Sequence, residues 1–104
     1  MQKEDFIKQS SGNVYQDLNY EDAEGMKVKA ELVRRINALM KTKHLTQKNV
    51  SEITGIPQGR VSNILNGQFR GVSEYKLLNC LSLLGNNIEI RITPTVGQGS
   101  VVFA

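Results

Sequence analysis

Five consecutive or near-consecutive residues carry the chemistry that stands out in this chain: Gln58, Gly59, Arg60, Ser62 and Asn63. All but the glycine donate hydrogen bonds, and at helical spacing they share the side opposite Val61, Ile64 and Leu65. A helix with that polar side can lie in a DNA major groove, its first turn nearest the base edges. Gln58 can pair bidentately with adenine N6 and N7, and Arg60 can reach a guanine or a phosphate. Ser62 and Asn63 lie farther along the same side. Gln47 stands at the start of the preceding helix, where a phosphate contact is expected. Thr46, Lys48, Asn66, Gln68 and Arg70 flank the groove side as further phosphate candidates. Each could also be an ordinary solvated residue; together they favour binding.

The elements that must hold these residues follow from residues 45–67, LTQKNVSEITGIPQGRVSNILNG. Thr46 suits a helix N-cap, and Val50 and Ile53 supply an apolar stripe at three-residue spacing. Gly55 can end that helix in the left-handed conformation. Ile56 drops into the core, Pro57 is tolerated where a second helix begins, and Gly67 closes it. Two short helices around a tight turn form a helix-turn-helix.

The motif resembles that of the lambda-repressor-like (XRE-type) DNA-binding domains. Thr46, Gln47, Val50, Gly55, Ile56, Gln58, Val61, Asn66 and Gly67 match in register. The resemblance implies that Gln47 and Gln58 cooperate, one on the backbone and one on a base. Ser51 departs from the family's usual alanine at the helix crossing, and Thr54 from a common apolar residue, so softer packing is expected there. Gly59 departs from a polar residue or alanine; it costs about 1 kcal/mol of helix propensity while permitting close backbone approach.

Around the motif, residues 1–20 read as a polar arm with apolar anchors at Phe6, Ile7, Val14, Tyr15, Leu18 and Tyr20, broken by the loop signal Ser10–Asn13. A long helix is predicted from about Glu21 to Lys43, acidic at its start and basic at its end, with Val28, Leu32, Ile36, Leu39 and Met40 facing the core. Lys27, Lys29, Arg34 and Arg35 read as solvated. Phe69 is expected as a core filler in a loop. Ser73 caps a last helix carrying Leu77, Leu78, Leu81 and Leu84 and ending at Gly85. From Asn86 the period becomes two: Ile88, Ile90 and Ile92 alternate with Glu89, Arg91 and Thr93 and predict a strand. A lone strand leaves its backbone groups unsatisfied. It is expected to pair with its copy in a homodimer, or else with Ser100–Phe103 as a local hairpin. The fold class is thus all-α, a lambda-repressor-like bundle of about five helices with a short C-terminal β-strand. The divisions are 1–20 (arm), 21–85 (helix-turn-helix domain) and 86–104 (strand and tail).

The 104 residues suffice for one domain. The net charge of +3 is unevenly spread. Residues 1–25 hold two lysines against six acids, a net −4, and residues 26–70 hold nine lysines or arginines against Glu31 and Glu52, a net +7. Positive charge around the motif is what phosphate binding requires. Cys80 has no cysteine partner and reads as a small buried hydrophobe, and His44 is the sole histidine. No metal site or cofactor is expected. No catalytic constellation is recognisable, so the expectation is a protein that binds and does not catalyse. Neither a secretory signal nor a bilayer-length apolar run is present, which predicts a cytoplasmic, nucleoid-associated protein.

The flanks, SGNVYQDLNYEDAE before the long helix and NNIEIRITP after the last one, resemble antitoxins of the host-inhibition-of-growth type. That resemblance implies a repressor of its own operon that also neutralises a RelE-like, mRNA-cleaving toxin. Phe6, Ile7, Val14, Tyr15 and Leu18 are then candidate toxin contacts, and Ile88, Ile90 and Ile92 candidate dimer contacts. The alternatives are a stand-alone XRE-type regulator without a toxin, and a protein-interaction module without DNA affinity.

Overall fold

The computed structural model describes residues 14–104, with side-chain surroundings from residue 23 onward. Four helices follow one another: α1 (Val14–Lys43), α2 (Gln47–Thr54), α3 (Gln58–Leu65) and α4 (Glu74–Leu83). The all-α expectation holds at this level. The count of about five does not: four helices are found among the described residues.

α1 starts earlier than its charge pattern predicts. Between Val14 and Glu21 no proline or glycine interrupts the chain. Residues 14–20, expected in the arm, are therefore helical. The acids Glu21, Asp22 and Glu24 lie inside α1 and not at its start. Charge complements the helix dipole only at the basic end, where Lys41 and Lys43 occupy the last turn.

The core is built from one face of each helix. Leu32, Val33 and Ile36 of α1 meet Leu77, Cys80, Leu81 and Leu84 from the α4 end; Val50, Ile56, Val61 and Ile64 join from the motif, with Phe69 and Val72 from the loop. Leu32 and Leu77 are the most completely enclosed large side chains. α1 packs mainly on α4, and α2 mainly on α3. Val28, Leu39, Met40, Leu65 and Leu78 border this core only partly buried. Phe69 fills the core as expected, and burial pushes the Cys80 thiol above its ordinary pKa. Ile53 differs: it lies in the final turn of α2 and is 43% exposed, so the stripe of that short helix reduces to Val50.

The predicted C-terminal strand is absent among the described residues. Ile88, Ile90 and Ile92 are exposed at 38, 73 and 91%. The hairpin with Ser100–Phe103 does not form either. Instead the chain leaves α4 through Asn86, whose side-chain amide donates to the Leu81 carbonyl, and bends near residues 96–98. It returns to α1, where the Arg35 guanidinium lies 5.2 Å from the Phe103 ring centroid and donates to the Ala104 carbonyl. A strand needs a neighbour for its N–H and C=O groups, and the protomer supplies none. No described helix is long and apolar enough to cross a membrane.

Candidate nucleic-acid interface

The motif is stapled by its own side chains. Thr46 caps α2 in a reciprocal capping box: its hydroxyl accepts from the Asn49 backbone N–H, and the Asn49 side chain accepts from the Thr46 N–H. The expected cap at Thr46 is present. Its partner was missed, because glutamate or glutamine is the usual signal at the third position and Asn49 does that work here. At the turn, Gly55 adopts φ +79° and donates to the Ser51 carbonyl. A side chain there would be strained.

Ser51 and Thr54, the two departures that predict softer packing, are hydrogen-bonded into the turn. The Ser51 hydroxyl donates to the Ile56 carbonyl. The Thr54 hydroxyl donates to the Val50 carbonyl at 2.7 Å and accepts from the Ile56 N–H at 3.3 Å. Polar ties thus replace the apolar contact that alanine and an aliphatic residue would make, and they fix the angle at which α3 leaves the turn.

α3 presents the side the spacing predicts. Val61 and Ile64 are buried behind it, while Gln58, Gly59, Arg60 and Asn63 are exposed and Ser62 is half-buried. Pro57 serves as N-cap without a side-chain hydrogen bond. The opening N–H groups of α3, at Gln58 and Gly59, have no acceptor among the described residues. Such groups, with the positive end of the helix dipole, favour an approaching anion. A Cβ on Gly59 would meet nothing within 4 Å, so nothing in the protomer requires glycine there.

The flanking candidates sort by element. Gln47 is half-buried as the first residue of α2, with Lys48 exposed beside it. The Thr46 hydroxyl is engaged in capping. Asn66 ends α3 and donates to the Ser62 hydroxyl at 3.4 Å. Gln68 and Arg70 are exposed in the loop, where the Gln68 N–H donates to the Asn63 carbonyl.

Basic charge is less available than its sum suggests. Lys29 donates to the Arg70 carbonyl at 2.7 Å and Lys43 to the Leu84 carbonyl at 2.9 Å. Both tie α1 to loops that follow the other helices. Arg34 and Arg35 pair with Glu31 at 2.7 and 2.8 Å, and these guanidinium groups, Arg34 foremost, hold the Glu31 carboxyl down to about 2. Lys29, Arg34 and Arg35, expected as solvated, therefore have structural partners. Only the i,i+3 and i,i+4 spacing of Glu31 with the arginines could have signalled this in the sequence.

Phe6 and Ile7 lie outside the described residues. Val14, Tyr15 and Leu18 are in the first turns of α1, and their side chains lie outside the described set. Ile88, Ile90 and Ile92 form a separate exposed apolar segment.

A family model described as "Helix-turn-helix domain" matches residues 14–93. A solved structure named "Putative XRE Family Transcriptional Regulator" is 31% identical, with a TM-score of 0.70; the match covers 80% of this chain and 99% of that one. No curated protein matches. With a polar α3 face held outward by a stapled turn, and with both matches spanning most of its length, the chain belongs to the helix-turn-helix domain family and, within it, is an XRE-family protein.

Proposed function

We propose that the protein is a DNA-binding transcriptional regulator that reads a major groove with α3. The observation that carries this reading is the exposure of Gln58, Gly59, Arg60 and Asn63 on a helix anchored from behind by Val61 and Ile64. Gln58 and Arg60 contact base edges; Gln47, Lys48, Asn66, Gln68 and Arg70 hold the phosphates, with Thr46 placing α2. The protein acts by binding and not by catalysis.

The test is a gel shift with the duplex upstream of its own gene. Arg60→Ala weakens binding at least tenfold and leaves the melting temperature nearly unchanged, because the side chain is exposed. Affinity falls by roughly three decades between 50 and 200 mM salt if six phosphates are neutralised. A flat salt response would sink the reading.

The finer assignment is an antitoxin that represses its own operon and neutralises a RelE-like, mRNA-cleaving toxin. It is supported by the flanking-sequence resemblance and by the net −4 over residues 1–25, since an RNA-cutting partner presents a basic surface. Phe6, Ile7, Val14, Tyr15 and Leu18 supply its apolar anchors. Expression from the native operon with a tag on this chain co-purifies the toxin; recovery of this chain alone favours a stand-alone regulator. A homodimer joined through Ile88, Ile90 and Ile92 places two α3 helices on successive half-sites.

A further inference from the structure

Gly55, Ile56 and Pro57 join α2 to α3, and their torsions set how the polar side of α3 stands relative to Gln47. The Pro57 ring holds its own φ at −55°. Glycine is the most permissive residue, so Gly55 by itself leaves the joint loose. Packing does not tighten it fully: Val61 and Ile64 press α3 onto the core, but apolar contact has no preferred direction. A rotation of about 10° moves the far end of a helix of this length, roughly 12 Å away, by about 2 Å. Hydrogen bonds to base edges do not survive such a shift.

The joint is tightened at Ile56, whose side chain is buried and whose two backbone polar groups are both held by hydroxyls of α2. Ser51 donates to the Ile56 carbonyl. Thr54 accepts from the Ile56 N–H while donating to the Val50 carbonyl. Neither group of Ile56 has another partner among the described residues. Holding the N–H and the carbonyl of one residue orients the peptide planes on either side of it, and so fixes the torsions between them. The Gly55 N–H, bound to the Ser51 carbonyl at 2.8 Å, completes the clamp.

We propose that Ser51 and Thr54 are positioning residues for base readout: their hydroxyls set how sharply the protein tells its operator from other DNA. This rests on, and deepens, the major-groove reading above. Attraction to phosphates carries non-specific binding and tolerates a helix that swings. Contacts from Gln58 and Arg60 to base edges demand a fixed one. Removing a hydroxyl therefore lowers the preference for the operator and spares the affinity common to all sequences.

Gel shifts of the full chain, at a temperature where circular dichroism shows each variant folded, compare the upstream duplex with a scrambled duplex of equal length at one salt concentration. Ser51→Ala and Thr54→Val each lower the ratio of the two affinities about tenfold, while affinity for the scrambled duplex changes by less than about threefold. Thr54→Ser, which keeps the hydroxyl and drops the methyl, holds the ratio within about threefold of wild type. In the Ser51→Ala background Arg60→Ala costs less than about threefold on the upstream duplex, against at least about tenfold in wild type, because clamp and guanidinium act together. A lowered melting temperature with an unchanged ratio overturns the proposal. Equal loss of ratio in Thr54→Ser and Thr54→Val overturns it too, by assigning the effect to the methyl. Should loss of a hydroxyl unfold the chain, amide exchange on the wild type decides. A clamped Ile56 N–H exchanges as slowly as the amides inside α2, and exchange as fast as an unbonded loop amide overturns the clamp. A wild-type chain that binds both duplexes equally overturns the regulator reading itself, whereas a wild-type preference untouched in both hydroxyl variants overturns the positioning role alone.

Discussion

Residues 45–73 and residues 86–104 are opposite in how they meet their needs. In the first, the polar groups that the turns leave over are largely answered by the chain itself. Thr46 and Asn49 cap each other, Gly55 closes α2, and Ser51 and Thr54 bind the turn. In the second, a regular isoleucine alternation and its backbone are left facing solvent. A helix satisfies its backbone locally, while a strand must find another strand. A helix-turn-helix can therefore be complete within one protomer where a strand of the same chain is not.

The widest contrast lies in core truncation. Leu77→Ala, at a side chain 1% exposed, lowers stability by about 2–5 kcal/mol. Ile92→Ala changes the unfolding of dilute protein by less than about 0.5 kcal/mol. Thermal or urea unfolding at low concentration compares them; equal losses would mean the tail is already packed in the protomer. Thr46→Ala removes the cap hydroxyl and costs about 1 kcal/mol, read by urea unfolding. A neutral result would show the capping box to be ornamental.

Gly59→Ala separates folding from binding within the motif. Its Cβ enters open space, so helix propensity stabilises the variant by up to about 1 kcal/mol. If α3 brings its backbone against DNA, affinity in the gel shift falls while stability rises. A gain in both would remove Gly59 from the contact face.

The smallest effect belongs to Glu31. Its carboxyl is held down to about 2, below its unfolded value, so its stabilisation is present above about pH 4.5 and disappears as pH falls toward 2. Glu31→Gln is accordingly less stable than wild type at pH 7, and the gap narrows to nothing near pH 2. A gap independent of pH would assign the loss to packing. The ion pairs are solvent-exposed, so the shift in melting temperature is modest.

Legibility followed the range of the interaction. Thr46, Gly55, Val61, Ile64, Ser73 and Phe69 act within a few residues or through simple apolarity, and the sequence announces them. The polar face of α3 was legible for the same reason, since one helical period sets it. The start of α1 is not marked by its acidic residues; it follows from the lack of any breaker between Val14 and Glu21. Lys29 on the Arg70 carbonyl and Arg35 under Phe103 were not legible at all, because each joins residues far apart in the chain.

By itself the amino-acid order determined a capped helix and a second helix around a glycine turn, which side of α3 is polar, and a period-two segment after Asn86. Capping, left-handed glycine and side-chain period are local properties, complete within a turn or two of chain. Tertiary structure decided which lysines and arginines stay available and that Ile53 lies at the rim. It also decided that the isoleucine segment finds no strand in its own protomer. These depend on which distant groups arrive within hydrogen-bonding or packing distance, and only the assembled fold sets those distances.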